Sequence, residues 1–367
     1  MIAQGSVLAA TLAGGAGEAT ARPARQADMS AWQVGAQQGI DSLRRVQRPG
    51  PVAGPGEVVV RVRATALNHR DLMIASSRYG ARKPEDRVPL GDGAGEIVEL
   101  GAGVNGWKVG ARVTAPHFVH WIDGAYSPAI FARDLGNTAD GWLAERIVLP
   151  AASLVAVPES LSFEEAAALG AAGITSWAVI ESFAGVKAGD VVLALGTGGV
   201  SILALQIAKM AGATAAITSS SDAKLAIARE LGADITVNYR KQPDWAAAVR
   251  AATGGRGVDI VVETVGLATL SQSLSCCAPN ARVGLLGALG GRPEGGSDLQ
   301  GLIAGNAIVK GITSGSRRML EDLLRAVVAN GVRPKIDRRF AFDDAVAAYR
   351  YLEAGDFVGK IVITGAA

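Results

Sequence analysis

Residues 191–211, VVLALGTGGVSILALQIAKMA, carry an unbroken apolar run over three glycines in four residues and straight into a helix-like pattern. A short run with no polar alternation reads as a strand buried on both faces. Joined to a helix by so tight a turn, it leaves the unpaired N–H groups of the helix start facing outward. Gly196 permits the turn, Gly198 allows a close backbone approach, and Gly199 and Val200 open the helix, so the segment is a seat for a pyrophosphate. A lone glycine motif proves little; the surrounding period does more. Apolar runs begin near Val191, Ala213, Ile235, Val258, Ala281 and Ala307, 22 to 26 residues apart, with helix-like stretches between them. This rhythm predicts an α/β unit with a six-stranded parallel sheet that binds a dinucleotide. Ser201 stands where the third fingerprint position usually holds Gly or Ala, a small departure in volume.

Bulk properties narrow the field. The 36 basic and 34 acidic residues leave a formal charge of +2, with no long basic run, so nucleic-acid binding is not indicated. The two cysteines, Cys276 and Cys277, are neighbours and form neither a disulfide framework nor a metal knuckle. They read as buried apolar residues of a reducing compartment. No apolar run approaches the roughly 18 to 20 residues that cross a bilayer, and a cytoplasmic protein without a membrane partner is expected. Residues 1–28 are rich in Ala and Gly, lack an early basic cluster, and are expected to be a disordered extension.

Between residues 29 and 149 the pattern is mostly β, in short alternating runs such as EVVVRVRATAL, EIVELG, ARVTAP and AERIVLP, with glycine and proline turns between them. This predicts a partly open β-barrel. The stretch LSFEEAAALGAAGITSWAVIESF then opens a helix with Ser162 as its cap and Glu164 and Glu165 in the first turn. Two further helical patterns and a last strand, GKIVIT, close the chain and are expected to return to the barrel. The predicted division is 1–28, extension; 29–172, barrel domain; 173–315, cofactor domain; 316–367, return to the barrel.

Barrel first and dinucleotide sheet second resembles the medium-chain dehydrogenase/reductase superfamily. The motifs that carry the resemblance are ALNHRDL at 66–72, PLGDGAGEIVELGAGV at 89–104, VGARV at 109–113, SFEEAAALGAAGITSW at 162–177, the GTGGVS turn, LGADITVNY at 231–239 and VGKIVI at 358–363. The resemblance implies a GroES-like barrel and a Rossmann domain. Its zinc-dependent branch places ligands where this chain has Asn68, Gly91, Asp92 and a residue near Ala172. Tetrahedral zinc needs three or four N, S or O ligands, so no metal is expected. The chain is similar instead to the zinc-independent quinone oxidoreductases and enone reductases, many of which bear the name of zinc-type alcohol dehydrogenases.

NAD-preferring Rossmann domains usually place an acid at the end of the second strand. Here that strand ends in Thr218, Ser219 and Ser220, and Asp222 reads as a helix cap. The hydroxyls leave room for a 2′-phosphate, to which, on the resemblance, Lys224 and Tyr239 supply charge and a hydrogen bond. NADPH is the expected cofactor. By the same resemblance its nicotinamide end is framed by Thr175, Gly287, Ser314 and Ser316.

Without a metal, polarisation of the substrate falls to hydrogen-bond donors. Asn68, in the lost ligand's place, is the first candidate, though Asn also suits a strand-to-helix turn. Tyr79 is the second, because N-x-x-D-x(7)-Y from Asn68 through Asp71 matches enoyl reductases in which the tyrosine donates a proton. His69, His117 and His120 belong to no recognisable catalytic set, although the resemblance places His117, His120, Trp121 and Tyr126 at the substrate entrance. The expected activity is NADPH-dependent reduction of a small-molecule enone, enal or quinone. A secondary-alcohol dehydrogenase and an NADPH-binding structural or regulatory protein remain open beside it. The apolar sixth strand, AIVKGITSG, predicts a homodimer paired along that edge.

Overall fold

The structure is a computed structural model that describes residues 27–287, 290, 291, 296 and 298–366. The expected extension over residues 1–28 lies outside these residues except for Ala27 and Asp28. Among the described residues fifteen strands organise the fold: β1 (Met29–Gln33), β2 (Arg44–Arg48), β3 (Glu57–Ala66), β4 (Asp92–Leu100), β5 (Arg112–Thr114), β6 (Arg146–Pro150), β7 (Val155–Ala156), β8 (Val191–Leu195), β9 (Thr214–Ser219), β10 (Ile235–Asn238), β11 (Val258–Glu263), β12 (Cys277–Leu285), β13 (Ile308–Gly311), β14 (Ile336–Phe340) and β15 (Lys360–Thr364).

The repeating βα pattern forms a six-stranded parallel sheet in the order β10-β9-β8-β11-β12-β13. The order reverses beside β8, so a crevice opens between the carboxyl ends of β8 and β11, where such sheets bind their ligands. All five residues of β8 are buried, which is why it reads as a continuous apolar run. Each fully buried Val or Leu adds roughly 1.5–3 kcal/mol through area removed from water. Cys276 and Cys277 lie at the start of β12, both buried, and both Sγ atoms donate to the Ser273 carbonyl, at 3.3 and 3.1 Å.

The second sheet has the order β14-β15-β3-β4-β5-β7, with β6 also paired to β3. The last two strands of the chain therefore close the barrel, and β15 lies antiparallel to β3 with Val362 opposite Ala66. Ala66 also faces Asp92 across β4. Three segments remote in sequence thus end at one corner, and their next residues meet there: Asn68 beyond β3, Asp92 at the start of β4 and Lys360 at the start of β15.

The stretch that opens at Ser162 folds as two helices, Phe163–Ala168 and Ala171–Trp177, followed by a wider turn, Ala178–Phe183. Ser162 caps it as expected, accepting from Glu165 N at 3.1 Å while Glu165 accepts from Ser162 N at 2.8 Å. The break falls at Gly170, whose backbone leaves the helical region, and Asp92 Oδ1 accepts from the freed Ala171 N–H at 2.8 Å. A Cβ at position 170 would stand 2.4 Å from the Asp92 carboxyl carbon, so only glycine fits there. Among the described residues no helix is long and apolar enough to cross a membrane.

Candidate active site

The cofactor side of the crevice is built from backbone. Gly196 has φ +78°, a conformation that favours glycine. A side chain added at Gly198 would meet nothing within 4 Å, so the turn faces open space. The helix Gly199–Met210 starts there, and its first N–H groups have no partner within the helix. Ser201, the departure from the fingerprint, donates to the Leu195 carbonyl at 2.6 Å, and Thr264 donates to the same oxygen at 2.8 Å. The serine therefore ties helix to strand. The Val200 carbonyl accepts from Ser176 Oγ at 2.9 Å, while Thr175 is buried and donates to the Ala171 carbonyl at 2.6 Å.

At the end of β9, Ser219 is buried and its carbonyl accepts from Tyr239 N at 3.0 Å; Ser220 and Lys224 are half-buried. The helix cap is Ser221 and not Asp222: Ser221 Oγ accepts from Lys224 N at 3.4 Å, being one residue nearer the turn that needs an acceptor. Asp222 faces Asn238 and Lys241 instead. The Lys224 ammonium sits 2.5 Å from the Gly355 carbonyl, which leaves two of its three N–H groups for another acceptor.

Further along the crevice, Gly287 donates to the Glu263 carbonyl at 3.1 Å, and a Cβ there would fall 1.6 Å from the Thr264 oxygen. Ser314 has φ +62°, and its hydroxyl is buried with no partner. An orphaned buried hydroxyl at the place assigned to the nicotinamide, together with the open glycine turn, fits a bound dinucleotide. Ser316 is the cap of the helix Arg317–Ala329 and accepts from Met319 N at 3.3 Å, so its oxygen is committed to the fold.

The barrel corner is built from side chains. Asp92 is fully buried, with Oδ2 accepting from Asn68 Nδ2 at 2.8 Å. Lys360, also buried, donates to Asn68 Oδ1 at 2.7 Å and to the Leu67 carbonyl at 2.7 Å, and lies 3.4 Å from Asp92 Oδ2. A lysine can only donate and a carboxylate can only accept, so the two fix which way the Asn68 amide points. One Asn68 N–H is used; the other has no described partner. Burial lowers the Lys360 pKa, with Asp92 and Asp71 opposing. Lys360 also packs on the cofactor turn, since a Cβ at Gly199 would meet its Cδ at 2.7 Å, and Gly359 N donates to the Thr197 carbonyl at 3.0 Å.

Asn68 is the cap residue of the helix His69–Ala75, and Asp71 closes its capping box by accepting from Asn68 N at 2.7 Å. Its other oxygen is buried without a partner, and burial pushes its pKa up to about 6. Arg70 takes the space of a missing side chain: a Cβ on Gly91 would lie 1.8 Å from Arg70 Nη2. That guanidinium donates to Asp134 Oδ1 and to the Leu135 carbonyl, each at 2.8 Å. Burial works against the Arg70 charge, but Asp134 and then Asp71 outweigh it and raise its pKa. Tyr79 is half-buried, its carbonyl accepts from Lys83 Nζ at 2.7 Å, and its hydroxyl has no described hydrogen-bond partner. His69 and His120 are exposed, whereas His117 is buried.

This corner does not suit zinc. Asn68 presents its oxygen to an ammonium, the room at Gly91 holds a guanidinium, and Ala172 offers no donor. Among the described residues no three His, Cys, Asp or Glu are grouped to hold a metal ion. Lys360, Arg70 and the partners of His117 were not singled out from the sequence. Lys360 lay inside the quoted VGKIVI motif, but nothing in that motif reveals that its ammonium reaches back across 292 residues to Asn68.

With glycine turn, switch-point crevice and barrel corner in place, the class follows: the chain belongs to the medium-chain dehydrogenase/reductase superfamily and is an NAD(P)-dependent oxidoreductase. Residues 54–159 match the family described as alcohol dehydrogenase GroES-like domain, and residues 199–329 match that described as zinc-binding dehydrogenase. A zinc-type alcohol dehydrogenase-like protein of Schizosaccharomyces pombe is 39% identical over 333 residues, covering 89% of this chain and 96% of that one. The crystal structure of an NAD-dependent alcohol dehydrogenase is 32% identical with a TM-score of 0.84, covering 92% and 100% of the two chains. The quinone oxidoreductase of Coxiella burnetii is 26% identical with a TM-score of 0.75, covering 92% and 99%.

Proposed function

We propose that the protein reduces activated carbonyl compounds, such as enones, enals or quinones, with NADPH and without a metal. The observation that carries this reading is the Asn68 amide, gripped by Asp92 and Lys360 and left with one N–H to spare. That N–H is the donor for the substrate oxygen, on which negative charge grows whether the neighbouring or the conjugated carbon is attacked. The nicotinamide cofactor supplies the hydride when bound. Gly196, Gly198, Gly199 and Val200 hold its pyrophosphate; Thr175, Gly287 and Ser314 frame its nicotinamide, with Ser316 fixing the turn. NADPH is favoured because no acid ends β9, and Ser219, Ser220, Lys224 and Tyr239 are the residues to receive its 2′-phosphate. The free hydroxyl of Tyr79 serves as proton donor to carbon.

A second reading, a secondary-alcohol dehydrogenase, draws on the names of the relatives and uses the same Asn68 donor. Ile308 on the edge strand β13, 52% exposed, and Ile303 on the preceding helix Gln300–Ala304, 85% exposed, support a homodimer joined along that strand. The deciding experiment measures turnover of cyclohexenone, benzoquinone and cyclohexanone by purified protein with NADPH or NADH in the presence of a strong chelator. Reduction of the first two with NADPH, insensitive to the chelator, is expected. One zinc per chain with activity lost on chelation, or preference for NADH, breaks the reading.

A further inference from the structure

The barrel corner holds an acid–base group beyond Asn68 and Tyr79. His117 is buried beside Gly91, with its Cβ 3.0 Å from where a Cβ at that position would stand. Its Nδ1 lies 2.8 Å from Asp134 Oδ1 and 2.9 Å from Arg70 Nη1, which itself donates to that same carboxylate oxygen; with the ring proton on Nδ1 the carboxylate is its acceptor. Asp134 is fully buried and held from several sides: by Arg70 at 2.8 Å, by Asn137 Nδ2 at 2.9 Å, and through its own N–H, which donates to Thr138 Oγ1 at 2.8 Å. Burial opposes its charge, but Arg70 and His117 outweigh that and hold its carboxyl below the usual range. The other ring nitrogen, Nε2, has no described hydrogen-bond partner. Nor does it belong to the fully enclosed polar atoms that lack one, so a small part of it is accessible although the side chain as a whole is 4% exposed. An imidazole with one nitrogen on a fixed carboxylate and the other accessible is arranged for proton transfer.

The loop that carries His117 is also tied to the cofactor side. Trp121 and Ile122 accept through their carbonyls from Arg317 N at 2.8 Å and Arg318 N at 3.0 Å, directly after the Ser314–Ser316 turn. The loop that begins at His117 therefore runs from the barrel corner to the start of the helix Arg317–Ala329.

We propose that His117, oriented by Asp134, exchanges a proton with the carbonyl oxygen of the substrate; this role rests on the metal-independent carbonyl chemistry proposed above. As hydride reaches the carbonyl carbon, the C=O π pair moves to oxygen, the Nε2–H bond of the imidazolium breaks and an O–H bond forms; when hydride reaches the conjugated carbon instead, the same transfer gives the enol, whose O–H proton returns to Nε2 as Tyr79 protonates the neighbouring carbon. The substrate gains two electrons, the hydride donor loses two, and after attack at the carbonyl carbon the ring is left neutral with its Nδ1–H on Asp134. A solvent proton then returns to Nε2 through its accessible side. In the reverse direction the neutral ring takes the alcohol proton. Burial and then Arg70 lower the pKa of the ring, with Asp134 and Asp92 opposing. The charged groups that face it are thus Arg70 from the helix His69–Ala75, Asp134 from the loop after Arg133, and Asp92 from β4.

The test compares wild type, His117→Gln, His117→Ala and Asp134→Asn with NADPH and cyclohexenone or cyclohexanone. The glutamine variant is expected to lose about 10²- to 10⁴-fold in kcat while binding NADPH as wild type does. Added imidazole is expected to restore His117→Ala, which a purely architectural role would not allow. Wild-type reductive kcat/KM should fall as pH rises through a pKa below the ordinary 6.5, and this limb should vanish in His117→Gln. Wild-type rates and pH dependence in His117→Gln overturn the proposal. If that variant does not fold, ¹⁵N NMR of the wild-type histidines decides: the Nε2 resonance of His117 must move when NADP⁺ and cyclohexenone form their abortive complex, and an unmoved resonance overturns the proposal. Wild type inactive on every carbonyl and quinone removes the functional reading and this one together, whereas turnover indifferent to His117 removes this one alone.

Discussion

The cofactor turn and the barrel corner lie side by side yet are made in opposite ways. The turn is backbone: Gly196 in a left-handed conformation, open space at Gly198, N–H groups at a helix start, all within a few consecutive residues. The corner is side chain: Asn68, Asp92 and Lys360 come from three strands, and the Asn68 partners lie 24 and 292 residues away. The turn works through shape and partial charge, whereas the corner works through balance. Asp71, Asp92 and Asp134 face Arg70 and Lys360 there, one acid more than base, and the rise of the Asp71 pKa to about 6 eases the excess. A backbone site tolerates neighbours that change. A charge-balanced site ties every member to the others.

The largest effect expected from breaking the corner is kinetic. Tyr79→Phe should lower kcat for cyclohexenone by roughly 10²- to 10⁴-fold and leave NADPH affinity, a property of the turn, intact. Benzoquinone should depend much less on Tyr79, because its reduced oxygens take protons from water. An unchanged enone rate would return Tyr79 to the status of a loop aromatic.

Next comes Lys360→Met, which strips Asp92 and Asn68 of their shared cation. Breaking a buried pair by removing one partner costs about 3–5 kcal/mol, to be read from urea unfolding. An unfolding midpoint equal to wild type would mean that the corner is not held by charge.

Asp71→Asn sharpens the balance argument through pH. Because the folded pKa is raised from 3.8 to about 6, the folded state binds more protons than the unfolded one in that window. The contribution of Asp71 is therefore most favourable below 3.8 and is lost as pH rises through about 6, a swing of up to about 3 kcal/mol. Asparagine keeps an oxygen for the Asn68 N–H and removes the charge, so the melting temperature of the variant should vary less over that range. An identical pH dependence in both proteins would show that Asp71 does not carry the excess. The smallest effect is expected on the cofactor side: Lys224→Ala, which removes a half-buried charge, should weaken NADPH binding by about 1 kcal/mol and leave NADH binding alone. Equal losses for both cofactors would place Lys224 away from the 2′-phosphate.

The same contrast explains what could be read in advance. The six parallel strands were legible because each βα unit is a local pattern, and so were Ser162 as a cap and the return of GKIVIT to the barrel. Asp222 was taken for a cap because carboxylates suit that role; Ser221, one residue earlier, holds it. The helical stretch after Ser162 hid its break, since nothing local shows that Gly170 yields to Asp92. His117 belonged to no set because Asp134 lies 17 residues away across an irregular loop. Asn68 was visible by position, but the two groups that aim its amide were not.

The paired thiols at the start of β12 bear on what kind of molecule this protein can tolerate. Conjugated carbonyls and quinones are soft electrophiles, and the species they capture is the thiolate. Burial pushes both cysteines up, Cys277 to about 12 and Cys276 further still, aided in the latter by its neighbour. Since these are the two cysteines of the whole chain, no readily ionised sulfur is offered to such compounds. Should the proposed substrates be the true ones, the sulfur of this chain is held back from forming adducts with them.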